Sequence, residues 1–159
     1  ELIANSQIPL IIDADGINLL AENINVLKTV RVPVVLTPHP GEFKRLAPLE
    51  DRLESARKFA QENQVIMILK GYRTIIAHPD GSAYINPTGS PSMAKAGSGD
   101  ILTGLIAGLY AQEPGNESIH AAVWLHGRCG ELGELRWTDR CLIATDLLTE
   151  LPNAIRSAY

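Results

Sequence analysis

Residues 94–100 read Ala94-Lys95-Ala96-Gly97-Ser98-Gly99-Asp100 and lead straight into Ile101-Leu102-Thr103-Gly104-Leu105-Ile106. Apolar residues at Ile101, Leu102, Leu105, Ile106 and Leu109 fall at helical spacing. The glycines therefore form a turn that opens a helix, with Asp100 in its first turn. The first N–H groups of a helix have no internal partner and lie at the positive end of its dipole. Glycines let an anion approach that backbone closely. A carboxylate beside such a hole suits removal of a proton from a nucleophile while the backbone holds developing phosphate charge. The pattern points to phosphoryl chemistry. The same residues also make an ordinary helix start, since Ser and Asp favour N-caps, and the tetrapeptide alone does not decide between the two.

Other reactive side chains stand at the ends of apolar runs. Residues 8–12 form a short buried strand that ends at Asp13, and Asp15 follows before a short helix over 16–22. Residues 33–36 form a second strand, ending in Thr37-Pro38-His39-Pro40-Gly41-Glu42, with a helix to Leu46. An amphipathic helix spans 51–63, with Leu53, Ala56, Phe59 and Ala60 on one face. A third strand over 65–69 reaches Lys70-Gly71. Residues 74–77 and 83–85 flank Pro79-Asp80-Gly81-Ser82 and read as a hairpin. A loop over 86–96 precedes the Gly97 helix. A further helix over 118–137 places Ile119, Ala122, Leu125, Cys129, Leu132 and Leu135 at helical spacing, and Thr145 is the expected N-cap of the last helix. Strands alternating with helices predict a layered α/β fold with parallel strands. In such sheets ligands sit at the carboxyl ends of strands, which is where Asp13, Asp15, His39 and Lys70 fall.

The 159 residues suffice for one domain with a real core. No linker or repeat divides them, so a single domain over 1–159 is expected. A net charge of −4 gives no case for nucleic acid or an anionic membrane. The longest apolar stretch, 101–111, is too short for a bilayer. Cys129 and Cys141 make no disulfide framework, and no signal peptide is visible, so the expected setting is a reducing cytoplasm. The chain opens on Glu1 rather than Met, and a buried strand comes almost at once. It is expected to be a piece whose N-terminal part lies elsewhere.

Five segments recur in a recognisable order: Asp13-Ala14-Asp15-Gly16-Ile17-Asn18, Thr37-Pro38-His39-Pro40-Gly41-Glu42-Phe43, Leu69-Lys70-Gly71-Tyr72-Arg73-Thr74, Asn86-Pro87-Thr88-Gly89 and Ala96-Gly97-Ser98-Gly99-Asp100. Together they resemble the ADP/ATP-dependent NAD(P)H-hydrate dehydratases, carbohydrate-kinase-like repair domains of the ribokinase-like superfamily. The resemblance covers essentially the whole chain and matches the C-terminal part of that domain. It implies a three-layer α/β/α fold with a mostly parallel sheet, incomplete at the N-terminus. It also implies restoration of hydrated NADH or NADPH, S epimer, through phosphorylation of the hydroxyl by ADP or ATP and loss of phosphate. Mg²⁺ is the implied cofactor.

By the same resemblance Asp100 is the base and meets substrate, and Gly97, Ser98 and Gly99 supply the anion hole. His39 contacts the hydrated cofactor. Lys70, Gly71, Tyr72, Arg73 and Thr74 form the adenine-nucleotide segment, joined by Asn86, Gly89 and Gly99. Each has a plainer alternative: a capping histidine at 39, a solvated strand-end lysine at 70, a simple turn at 86–89. Glu42 either orients His39, organises Mg²⁺-bound water, or serves the helix dipole, and no residue is firmly a metal ligand. Asp13 and Asp15 either approach Mg²⁺ indirectly or, for Asp15, cap a helix. Lys95 and Ser92 receive no chemistry. His126 and Cys129, at i and i+3, lack a second pair to make a metal site. Gly104 and Gly108 predict close packing of their helix on a neighbour, and Trp124 and Trp137 read as core or interface. Small-molecule substrates, and either a homo-oligomer or pairing with the missing N-terminal portion, are the implied partners. A vitamin-precursor kinase of the same superfamily and a non-catalytic nucleotide-binding fragment are the alternatives.

Overall fold

The computed structural model describes residues 2–158, which divide into two compact units, one ending at Ile85 and the other starting at Asn86. The first unit holds α1 (Leu2–Asn5), β1 (Leu10–Ile12), α2 (Asp15–Glu22), β2 (Val34–Leu36), α3 (Pro40–Leu46), α4 (Arg52–Asn63), β3 (Ile66–Leu69), β4 (Ile75–Ala77) and β5 (Ala83–Ile85). A 3-10 stretch at Ile24–Thr29 joins α2 to β2. The strands form one mixed sheet in the order β1-β2-β3-β4-β5. β1, β2 and β3 are parallel, in the register Leu10 to Val34 and Val35 to Ile66. β4 and β5 are antiparallel to their neighbours, as the hairpin requires.

Alternation along the strands explains the packing. Ile12, Val34, Leu36, Met67, Leu69, Ile75 and Ala77 join Ile17 and Leu20 of α2, Phe43 of α3, and Ala56, Phe59 and Ala60 of α4 in one buried cluster. Phe43 and Phe59 meet edge-on, with centroids 5.7 Å apart, a geometry the ring quadrupoles favour. Val35, Ile66, Ile68 and Ile76 alternate with that set and are buried as well. The strands are thus apolar on both faces, which is why they read as continuous apolar runs.

The second unit holds α5 (Ser98–Gln112), α6 (Asn116–Cys141) and α7 (Ala144–Arg156), with a 3-10 turn at Pro91–Met93. Leu125, Cys129, Leu142, Leu147 and Ala154 make its core, with Trp124 and Trp137 packed at the edge. The loop after Asn86 lies on α6. Thr88 Oγ1 donates to the Trp124 carbonyl at 2.8 Å, and Asn86 Nδ2 donates to the carbonyls of Thr88 at 3.0 Å and Val123 at 3.4 Å. This approach needs a glycine on the helix: a Cβ on Gly127 would stand 2.7 Å from the backbone carbonyl carbon of Thr88. Backbone yields less readily than a side chain tip. Gly127→Ala should therefore cost about 2 kcal/mol, the range of core overpacking, read as a lower urea midpoint at unchanged slope.

Several expectations need correction. α7 begins at Ala144, and its cap position is Ile143 rather than Thr145. The Asp146 carboxylate reaches back to the Ile143 N–H at 2.9 Å, so the reciprocal half of a capping box does the capping. Asp15 does not cap α2 but is its first residue; Ala14 holds the cap position without a side-chain bond. Leu135 is 83% exposed, on the side of α6 away from the core against which Leu132 and Trp137 pack. Gly104 and Gly108 are exposed, and a Cβ on either would meet nothing within 4 Å. No close packing accounts for them among the described residues.

Candidate functional site

In the first unit the carboxyl ends of β1, β2 and β3 bring Asp13, His39, Glu42 and Lys70 together. Lys70 Nζ donates to Asp13 Oδ1 at 2.8 Å and lies 3.9 Å from Glu42 Oε2. The side chains of Lys70, Asp13 and Glu42 are 19%, 11% and 9% exposed. Burial by itself pushes the Asp13 carboxyl up. The Lys70 hydrogen bond and charge, the Thr37 hydroxyl and the Ala14 N–H more than offset it, and hold the carboxyl below its usual range. Ala14, next in the chain, has φ 47° and ψ −120°, a conformation non-glycine residues seldom take. Lys70 is therefore neither solvated nor a free cation, and Asp13 is committed to it. The three groups together carry one net negative charge.

His39 opens α3. Its Nδ1 accepts the Glu42 N–H at 3.1 Å, and Glu42 Oε2 accepts the His39 N–H at 2.8 Å. This is a capping box with imidazole in the serine role. Accepting at Nδ1 places the ring proton on Nε2. The side chain is 55% exposed, so His39 presents an N–H donor while it caps. The capping and substrate-contacting alternatives are thus compatible. Glu42 Oε2 is taken up by the His39 N–H, while Oε1 lies 3.5 Å from His39 Nε2 without a hydrogen bond between them. It orients His39.

The Lys70–Thr74 segment is held from below by Arg52, which sequence reasoning passed over. Its guanidinium donates to the Tyr72 carbonyl at 2.8 Å and the Leu69 carbonyl at 3.5 Å. Thr74 Oγ1 donates to the Gly71 carbonyl at 3.1 Å. Gly71 and Arg73 have φ of 140° and 53°. The Tyr72 ring is 81% exposed, with Arg73 5.6 Å from its centre. A base could stack on it. The only sequence signal for Arg52 was its place just after the helix cap Asp51.

In the second unit Gly97 takes the left-handed conformation, φ 87° and ψ −16°, at the cap of α5. A side chain there would be strained. Ser98 N–H is spent on the Lys95 carbonyl at 3.3 Å, whereas no acceptor among the described residues takes the N–H of Gly99. Asp100 is exposed in the first turn. Lys95 Nζ donates to the carbonyls of Asp139, at 2.9 Å, and Leu142. That use of Lys95 is structural. Gly89 N–H donates to Glu131 at 3.0 Å, and Asn86 is bonded within the loop and to α6. These two residues shape the loop from inside.

His126 and Cys129 do not form a metal pair. Burial and the Glu150 charge push the Cys129 thiol up to about 11, so it stays protonated and is no ligand, and His126 bonds to Ser98. Among the described residues no three His, Cys, Asp or Glu side chains group as a metal site.

The open N–H and carboxylate at the start of α5, and the strand-end donors of the mixed sheet, define the class: a ribokinase-like α/β protein. A solved ribokinase-like superfamily protein of Enterococcus faecalis superposes with TM-score 0.79 at 35% identity, over 92% of this chain and 52% of that one. The family model for NAD(P)H-hydrate dehydratase matches residues 1–153, and the chain belongs to that family. It is 48% identical to a bifunctional NAD(P)H-hydrate repair enzyme, Nnr, of Moorella thermoacetica, over 99% of this chain and 31% of the relative. It is 44% identical to the ADP-dependent (S)-NAD(P)H-hydrate dehydratase of Bacillus subtilis, over 77% of this chain and 46% of that protein. The Bacillus subtilis ADP/ATP-dependent dehydratase co-crystallised with ATP and Mg²⁺ superposes with TM-score 0.81 at 36% identity, over 94% of this chain and 55% of that one. The chain thus spans between about a third and just over half of these relatives.

Proposed function

We propose that this chain takes part in ADP- or ATP-dependent dehydration of hydrated NADH and NADPH, S epimer. What carries the proposal is the start of α5, where the left-handed Gly97, the unpaired Gly99 N–H and the exposed Asp100 stand together. Asp100 takes the proton of the ring hydroxyl as its oxygen attacks the terminal phosphorus of the nucleotide. The phosphoanhydride bond breaks, and the Gly97 and Gly99 N–H groups hold charge on the transferred phosphoryl. The carbon–oxygen bond then breaks. Phosphate departs with the electron pair, a proton leaves the neighbouring carbon, and the dihydronicotinamide double bond is restored.

His39 offers its Nε2–H to the hydrated cofactor, and the Lys70–Thr74 segment, with exposed Tyr72, receives the adenine nucleotide. Mg²⁺ would come with the nucleotide phosphates and offset their charge, as is usual for this ion. Glu42 Oε2 is taken by the His39 N–H, so Glu42 would meet Mg²⁺ only through water, and no step here passes through a protein-held metal. The free thiols of Cys129 and Cys141 suit a reducing compartment, in keeping with a cytoplasmic enzyme.

The test is direct: the purified protein is mixed with hydrated NADH, ADP or ATP, and Mg²⁺. Growth of the near-ultraviolet dihydronicotinamide absorbance, with phosphate released in equal amount, is the expected result. ATP consumption with a vitamin-precursor alcohol and none with hydrated NADH would make the chain a kinase instead.

A further inference from the structure

His126 lies outside the five segments that carry the family resemblance. Its Nε2 is 2.9 Å from the backbone carbonyl oxygen of Ser98 and 3.3 Å from Ser98 Oγ. A carbonyl oxygen can only accept, so the shorter contact requires the proton on Nε2. The Ser98 hydroxyl then shares that N–H as a second acceptor and keeps its own hydrogen to donate. Ser98 is 7% exposed, so the contact is shielded from water.

The geometry of one peptide group gives this contact its consequence. The Ser98 carbonyl and the Gly99 N–H are the two ends of a single planar unit. Fixing the oxygen fixes the direction of the N–H. A donor on the carbonyl also polarises the unit and makes its N–H a stronger donor. The Gly99 N–H, in the first turn of α5, has no acceptor among the described residues. We propose that His126 is the positioning residue of this anion hole, aiming and strengthening the Gly99 N–H through the Ser98 carbonyl. The role of that N–H in turnover rests on the dehydratase reading above.

Reach separates a positioning role from mere packing. In His126→Gln the amide nitrogen extends about as far as Nε2 and can donate to the same carbonyl. In His126→Asn it stops near the place of Nδ1. The expected result is a kcat about 10- to 100-fold lower for His126→Asn with the nucleotide KM within about threefold, and a kcat within about threefold of the parent for His126→Gln. Backbone amide NMR supplies a readout free of activity. The Gly99 amide should move in His126→Asn far more than those of Gly104 and Gly108 on the same helix, and return in His126→Gln. Equal kcat for the two variants, or a Gly99 signal that ignores both, overturns the proposal. If the parent itself fails to restore NADH, the dehydratase reading falls, and the Gly99 amide still decides the question for His126. If His126→Asn does not fold, a normal Gly99 amide and kcat in His126→Gln uphold the proposal, and a displaced amide or depressed kcat there overturns it.

Discussion

Asp100→Asn will lower turnover about a thousandfold while nucleotide binding stays equal or tightens slightly. The substitution keeps the shape of the side chain and removes only its capacity to take a proton. No ion pair among the described residues includes Asp100, and the residue is exposed, so nothing in the packing depends on its charge. The carboxylate stands in the first turn of α5, where an incoming phosphate is itself attracted to the helix terminus. Two anions there repel each other, and the amide relieves that repulsion. A base therefore shows itself as a loss of kcat without loss of affinity. Stopped assays with hydrated NADH, paired with calorimetric titration of Mg-ADP, give both quantities. Turnover surviving within tenfold would remove Asp100 from the role of base. Weaker nucleotide binding with unchanged kcat would make it a binding residue only.

The elements that position these residues were legible wherever local chemistry decides structure. Residues 10–12, 34–36 and 66–69 are short apolar runs bounded by polar punctuation, and each became a strand. The amphipathic run over 51–63 marked α4, which starts at Arg52, with the Asp51 carboxylate capping it by accepting the Glu54 N–H at 2.8 Å. The Pro79–Ser82 turn closes as expected, with Asp80 accepting from the Ser82 N–H at 2.8 Å and Gly81 at φ 86°. What stayed hidden depends on long-range pairing. Asp13 and Lys70 lie 57 residues apart, and nothing in either segment tells a metal-seeking carboxylate from one that neutralises a lysine. His126 stood out only as half of a weak metal pair with Cys129, because its actual partner is a backbone carbonyl and every residue offers one. The cap of α7 was misplaced for a different reason: Thr145 has the right side chain, but the helix starts one residue before it, and Asp146 reaches back to accept the Ile143 N–H. The run at Ile24–Thr29 has no helical periodicity, and 3-10 turns leave none to find.

Lys70→Met will destabilise the protein by about 3 kcal/mol at neutral pH, and the deficit will shrink as the solution is acidified. Lys70 is the cation that offsets Asp13, at 2.8 Å, and faces Glu42 at 3.9 Å. Methionine keeps most of the apolar stem and removes the charge, so the carboxylates are left buried without it. In the parent the Asp13 pKa is depressed, so its contribution is present above the ordinary aspartate range and is lost as pH falls through the folded value. In the variant the Lys70 contributions are gone and burial dominates, raising the folded pKa above the unfolded one. The sign then reverses: the variant gains relative stability at low pH, where Asp13 is protonated, and loses it as pH rises through that raised value. Urea midpoints taken between mildly acid and neutral pH should therefore converge for parent and variant on the acid side and separate toward neutrality. Adding Asp13→Asn to Lys70→Met should recover part of the neutral-pH loss, because the buried charge goes with its partner. A deficit constant across pH would mean that the stem of Lys70, rather than its ammonium, holds the strand ends together.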